Sequence, residues 1–220
     1  SGTNKCLCEV IKEEIPQGLP VILTGPSHAE EVAREIPTTI VCASENKDAT
    51  LLTQELLMTD FFRIYLSEDP VGAQLGGALK NVIALAAGMA DGLGYGDNTK
   101  AALITRGISE MSRLAIKMGA KPETLSGLTG IGDLVVTCTS KHSRNNRFGF
   151  KVGRGTPVSK ALEEVGTVEG YYAANMAYAL SQKYGIDMPI VRECYKIMYE
   201  NKDVKKALLD LLNRPNRSEH

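Results

Sequence analysis

The chain has 220 residues, 43% of them hydrophobic and 23% charged, which is long and apolar enough to bury a core of its own and excludes a disordered segment. Basic and acidic residues number 25 and 26, a formal net charge of −1, which argues against nucleic-acid binding because phosphate contacts need a basic excess. Aromatics reach only 5%, Trp is absent and Gly numbers 21, so the expected core is one of small side chains and closely packed helices.

The first third alternates in type. Cys6 to Glu14 reads as the end of a helix, closed before Pro16. Leu19 to Leu23 reads as a short strand running into the loop Thr24-Gly25-Pro26-Ser27. A helix starts at Ser27 or His28 and continues to Ala33, with Glu30 and Glu31 in the first turn, where the dipole favours them. Thr38 to Ala43 is β-branched and apolar, Asp48 to Met58 has helical spacing of leucines, and Phe61 to Leu66 returns to a strand. This is the rhythm of a doubly wound α/β sheet.

From Asp69-Pro70 onward the pattern is helical. Long Ala- and Leu-rich segments cover Val71 to Ala90 and Thr99 to Met118. Further starts follow at Lys121-Pro122, Thr156-Pro157 and Met188-Pro189, each placing Pro at a first turn, where its missing N–H does no harm. Tyr171 to Tyr184 is amphipathic and stops at Gly185. The expected organisation is part of an α/β domain over 1–66 and an all-helical domain over 67–220, with no internal repeat. A doubly wound nucleotide-binding domain opens with Gly-x-Gly-x-x-Gly, which does not occur here. The chain is therefore expected to be the carboxy-terminal part of a longer enzyme.

Five cysteines (Cys6, Cys8, Cys42, Cys138, Cys194) and three histidines (His28, His142, His220) show no metal-ligand spacing, so no metal is expected. Free thiols in a reducing compartment, no signal-peptide pattern and a longest apolar run interrupted by Gln74, Lys80 and Asn81 together predict a cytoplasmic protein without a membrane span.

Several groups are candidates for chemistry. Lys80 is the lone charge in its apolar helix. It either snorkels to water at the helix edge or sits inside, where burial eases the proton exchange that general acid–base catalysis requires. Asp133 follows two glycines and leads an apolar run, so it either caps that helix or faces a cleft and pairs with Lys80. The basic loop Lys141 to Arg147 combines guanidinium, hydroxyl and amide donors suited to a phosphate, and it also fits an ordinary solvated loop. Gly25 to Ala29 is a strand-to-helix loop with N–H groups that could hold an anion, and Glu169 stands alone between glycines.

The ordered set is more specific than its members: Gly-Pro-Ser-His-Ala-Glu-Glu-Val at 25–32, Gly-Ala-Leu-Lys-Asn-Val-Ile-Ala at 77–84, Gly-Asp-Leu-Val-Val-Thr-Cys at 132–138, Ser-Arg-Asn at 143–145 and Val-Glu-Gly at 168–170. From about Val10 to Leu212 the chain closely resembles the bacterial NAD(P)-dependent glycerol-3-phosphate dehydrogenases. The resemblance implies an α/β fragment of a Rossmann domain followed by an all-α domain like the carboxy-terminal domain of 6-phosphogluconate dehydrogenase. It implies NAD(P)H as cofactor and reduction of dihydroxyacetone phosphate to sn-glycerol 3-phosphate for glycerophospholipid synthesis. It makes Lys80 the catalytic proton donor and acceptor, and Gly25, Ser27, Lys80, Asp133, Ser143, Arg144 and Asn145 the substrate-binding residues. Ala29, Arg144, Thr167 and Glu169 fall beside the cofactor, Thr167 through its backbone because many relatives carry an aliphatic residue there. The partners implied are small molecules, with no nucleic acid and no membrane insertion, and a homodimer is compatible. The family's glycine-rich turn and an upstream substrate lysine are absent from these 220 residues, so this chain alone is expected to be inactive. The competing readings are a 3-hydroxyacid or 6-phosphogluconate dehydrogenase, which also place an asparagine beside a buried lysine, and a non-catalytic helical association module.

Overall fold

The computed structural model describes residues 5–215, so His220 and the first four residues lie outside the described residues. The first part comprises α1 (Leu7–Glu14), β1 (Ile22–Thr24), α2 (Ala29–Val32), β2 (Thr38–Ala43), α3 (Lys47–Leu57) and β3 (Phe62–Ser67). The strands lie in the order β1-β2-β3. β2 and β3 are parallel, Thr38 opposite Phe62, as the alternating pattern predicts. β1 departs from it, running antiparallel to β2 with Ile22 opposite Ala43. The connections explain the difference. The 11 residues of α3 rise about 16 Å at 1.5 Å per residue, enough to carry the chain back along a strand, whereas the four of α2 cannot. Ile40, Cys42 and Ile64 form the small core of this sheet.

The second part is helical throughout: α4 (Pro70–Gly92), α5 (Asp97–Lys117), α6 (Pro122–Ser126), a π-helical turn (Leu128–Gly132), α7 (Asp133–Thr139), α8 (Arg144–Gly153), α9 (Val158–Val165), α10 (Glu169–Tyr184), α11 (Pro189–Tyr199) and α12 (Val204–Leu212). The fold class expected from the sequence, an α/β fragment followed by an all-α region, is the one observed. α4 is the axis. Asp69 caps it by accepting from the Gly72 N–H at 2.8 Å, and Pro70 opens it. The same Asp69 carboxylate accepts from Lys121 N–H and from the Thr124 hydroxyl, tying the start of α6 to the start of α4.

Small residues set the spacing around this axis, as the composition predicts. A Cβ on Gly88 would lie 2.1 Å from the Asn146 carbonyl oxygen, and one on Gly149 would lie 2.3 Å from that of Leu85. α4 and α8 therefore meet backbone to backbone, at a separation only glycine permits. The remaining core is mostly aliphatic, with Leu79, Ile83, Leu85, Met111, Leu114 and Leu134 fully buried beside the aromatic ring of Phe148.

Three local expectations change. Residues 144–147 are not a loop: Ser143 caps α8, accepting from Asn146 N–H at 3.2 Å, and Arg144 is the first helical residue. Asp133 does not cap α7, because Gly132 holds that position and the π-helical turn runs straight into the helix. Pro157 is the N-cap of α9 rather than its first residue. Among the described residues no helix is long and apolar enough to cross a membrane, and no cluster of His, Cys, Asp and Glu could hold a metal ion. Cys8, Cys42, Cys138 and Cys194 are buried as free thiols, and Cys6 is half-buried.

Candidate active site

Three parts of the chain converge beside the middle of α4. β1 packs on α4 and β2 on the π-helical turn, which lays the 25–29 loop over the helix. Gly25 makes this turn with φ of +134°, and a Cβ there would press to 3.1 Å from the Ile40 Cα. α7 and α8 close a second side, and the start of α10 a third. The resulting cavity has a volume of about 330 Å3. Every site residue singled out from the sequence lines it: Gly25, Ser27 and Ala29 from the loop, Lys80 from α4, Asp133 from α7, Ser143, Arg144 and Asn145 around the α8 start, and Thr167 and Glu169 before and at the start of α10.

Lys80 settles between its two readings. Its side chain is 19% exposed, and its head does not reach for water: Nζ donates to Asp133 Oδ2 at 2.5 Å, while Asp133 itself is only 3% exposed. Asp133 is in turn held by the Gly25 N–H and by the Thr137 hydroxyl, which donates at 2.6 Å to the Asp133 main-chain carbonyl and lies 3.3 Å from Oδ1. Burial pushes the Asp133 carboxyl up, and the Lys80 ammonium with these neutral donors pulls it back. The pair is a fixed dipole in the cavity floor.

The adjacent residue builds the opposite wall. Asn81 Nδ2 donates to Glu169 Oε2 at 3.1 Å, and Asn81 Oδ1 accepts from Asn145 Nδ2 at 2.9 Å. Asn145 Oδ1 accepts from the Gly170 N–H at 2.8 Å. This network ties α4, α8 and α10 together and fixes the heading of Glu169 and of the α8 start that carries Arg144. Arg144 is exposed at the mouth, close enough to help hold the Glu30 carboxyl below its usual range.

Sequence reasoning did not single out Asn81 or Thr137, both of which line the cavity, and named His28 and His142 only as parts of their loops and as histidines without metal-ligand spacing. Asn81 carried a signal, since a buried amide inside an apolar helix requires partners. Thr137 stands four residues after Asp133 on the same helix, a spacing that brings the two side chains together, whereas the place of His142 depends on contacts across the fold.

Comparison with known proteins gives a consistent result. Residues 69–209 match the family model described as NAD-dependent glycerol-3-phosphate dehydrogenase C-terminus, and residues 1–50 match the corresponding N-terminus model. The chain is 54% identical over its whole length to 66% of a glycerol-3-phosphate dehydrogenase [NAD(P)+] of Agathobacter rectalis. It is 51% identical over 99% of its length to 62% of the one from Desulfitobacterium hafniense. A crystal structure of glycerol-3-phosphate dehydrogenase from Coxiella burnetii superposes with a TM-score of 0.95 at 41% identity, covering 97% of this chain and 66% of that one. The chain thus spans about two thirds of the length of the curated relatives it matches. With its helical part matched almost end to end and its sheet matched in sequence and in space, the chain belongs to the NAD-dependent glycerol-3-phosphate dehydrogenase family.

Proposed function

We propose that this chain carries the substrate half of an NAD(P)H-dependent glycerol-3-phosphate dehydrogenase, interconverting dihydroxyacetone phosphate and sn-glycerol 3-phosphate for glycerophospholipid synthesis. The observation that carries the reading is the Lys80–Asp133 pair, 2.5 Å apart in the floor of a cavity whose mouth holds Arg144. Residues 1–66 form the end of the nucleotide-binding domain in this reading, and residues 67–220 the substrate domain.

Reduction of a ketone places negative charge on its oxygen, and a preorganised cation is the strongest stabiliser of such charge in a site shielded from water. Lys80 Nζ–H is that group: it donates to the substrate oxygen and passes it the proton, while Asp133 keeps the ammonium aimed. Arg144 and the Ser143 hydroxyl bind the phosphate, and Asn145 holds the α8 start in place. Binding energy at the phosphate thus orients a carbonyl several bonds away. Ala29, Thr167 and Glu169 are exposed where they line the cavity, and these residues would hold the cofactor. The nicotinamide, when bound there, supplies the hydride. Glu169 and Thr167 would hold it, and the Asn81 amide fixes the Glu169 carboxylate. The proposal includes a cytoplasmic setting, where the buried thiols stay reduced, and a homodimer, which sedimentation tests.

The assay is NADH and NADPH oxidation with dihydroxyacetone phosphate, using this sequence within a polypeptide of its relatives' length, beside Lys80→Ala. Loss of general acid catalysis lowers kcat by about 10²–10⁴ while the folded structure persists. Equal turnover of phosphate-free dihydroxyacetone would point instead to a hydroxyacid-type enzyme, and full activity of Lys80→Ala would remove the lysine from the mechanism.

A further inference from the structure

His28 occupies the N-cap position of α2, a place usually filled by a side chain that accepts from the first N–H groups of the helix, yet its ring makes no capping bond. Its Nε2 is shielded from solvent and has no hydrogen-bond partner among the described residues. The ring instead lines the cavity together with Lys80, Ser143 and Arg144. A shielded ring nitrogen without a partner is unfavourable, so turning the ring to bring Nε2 into the adjoining cavity breaks no hydrogen bond and lets a ligand atom supply the missing partner.

The rest of the loop does not offer a substitute. The Ser27 hydroxyl donates to the Gly25 carbonyl at 3.0 Å, so its proton is spent inside the loop. His28 is therefore the side-chain group of this loop whose hydrogen-bonding capacity is unspent. Its ring lies 5.9 Å from that of His142. The Glu30 carboxyl is held below its ordinary range, first by a backbone hydrogen bond and then by His142, His28 and Arg144. Both imidazoles and the guanidinium thus act on one negative group at the cavity mouth. Glu30 itself lies in solvent, where its repulsion of a ligand is screened.

We propose that His28 is a further substrate-binding residue, its ring turning from the shielded position so that Nε2–H donates to a phosphate oxygen of the ligand that Arg144 also holds. The proposal rests on reading this cavity as the glycerol-3-phosphate site. A phosphate monoester has three terminal oxygens and binds best where several donors approach from different sides. Arg144 and Ser143 approach from α8, and His28 from the loop across from it.

The chain has three histidines, His28, His142 and His220, so ¹⁵N-histidine labelling resolves each ring. Titration with sn-glycerol 3-phosphate should move the His28 Nε2 resonance, and titration with glycerol should not. His28→Phe keeps the ring and removes the donor, and should weaken sn-glycerol 3-phosphate binding about tenfold or more, the loss expected for a hydrogen bond to a charged group. His28→Gln carries an N–H close to the Nε2 position and should restore most of the affinity. Arg144→Ala is the control for the site itself. If the ligand binds, Arg144→Ala abolishes binding, and yet the His28 resonance stays still and His28→Phe binds as the parent does, His28 is not a ligand group and the site reading stands. The titrations use this sequence within a polypeptide of its relatives' length; if that parent shows no binding of sn-glycerol 3-phosphate, the site reading fails and this proposal with it. The resonance is read on the unsubstituted chain, so the outcome does not depend on any variant folding.

Discussion

Two buried carboxylates, Asp133 and Glu110, meet the cost of burial in different ways. Asp133 faces an ammonium, and removing either partner of such a pair leaves the other as an uncompensated charge, a loss of about 3–5 kcal/mol in buried settings. Glu110 on α5 has no cation bonded to it. It accepts from the Ile190 N–H at 2.9 Å and the Val191 N–H at 3.3 Å, so it serves the start of α11 from a distant helix. Burial pushes its carboxyl up to about 7, against the pull of those two N–H groups and of Arg113. The folded state therefore binds this proton more tightly than the unfolded chain, whose glutamate titrates near 4.5. The stabilisation is fully present below that value and is lost as pH rises through about 7, on the order of 3 kcal/mol in total. Urea melts of the parent and of Glu110→Gln at pH 5 and pH 8 should show the variant close to the parent at pH 5 and the more stable of the two at pH 8. A constant difference between them would show that Glu110 does not titrate in this range.

The glycine contact between α4 and α8 carries the most consequence among the elements, because the two helices bring Lys80 and Arg144 to one cavity. Gly88→Ala places a methyl 2.1 Å from the Asn146 carbonyl oxygen, so the helices must part. Overpacking of this kind costs about 1–3 kcal/mol. Because the shift moves the α8 start, sn-glycerol 3-phosphate affinity should fall along with the melting temperature. An unchanged melt would mean that α8 slides at no cost. Much at this scale was legible in advance. Pro70, Pro122 and Pro189 open their helices as read, and Gly185 ends α10 in the left-handed conformation at φ +65°. The start of α8 was not legible, since Lys141 to Arg147 has no apolar period and its helical shape is set by the Ser143 cap and by the fit of Gly149 against α4. The antiparallel β1 could have been inferred from the brevity of α2. The Asn81–Asn145–Gly170 network could not, because it joins residues far apart in sequence whose meeting depends on the whole helical packing.

Across the whole molecule the apolar core is unevenly divided. One large cluster runs through α4, α5, α8, α10 and α11, while the sheet owns little beyond Ile40, Cys42 and Ile64. On the sheet side Leu51, Leu52, Leu56, Leu57, Tyr65 and Leu66 are exposed. Regions with few buried apolar contacts open at lower free energy than the global unfolding. Amide exchange should therefore be fastest to complete in peptides spanning 38–67 and slowest in those spanning 75–90. Equal protection in the two would mean that sheet and helices unfold as one unit.

Lys80 and Asn81 are neighbours in sequence, yet one engages α7 and the other α8 and α10. Successive residues of a helix point about 100° apart, so two walls of the cavity are read from a single step along α4. Inserting or deleting one residue between the Asp69 cap and Lys80 would turn the ammonium to where the amide stood, or away from both walls. The count of residues in that stretch is thus under tighter constraint than the identity of most of them, and α4 acts as an indexing shaft whose length sets which side chain meets which wall.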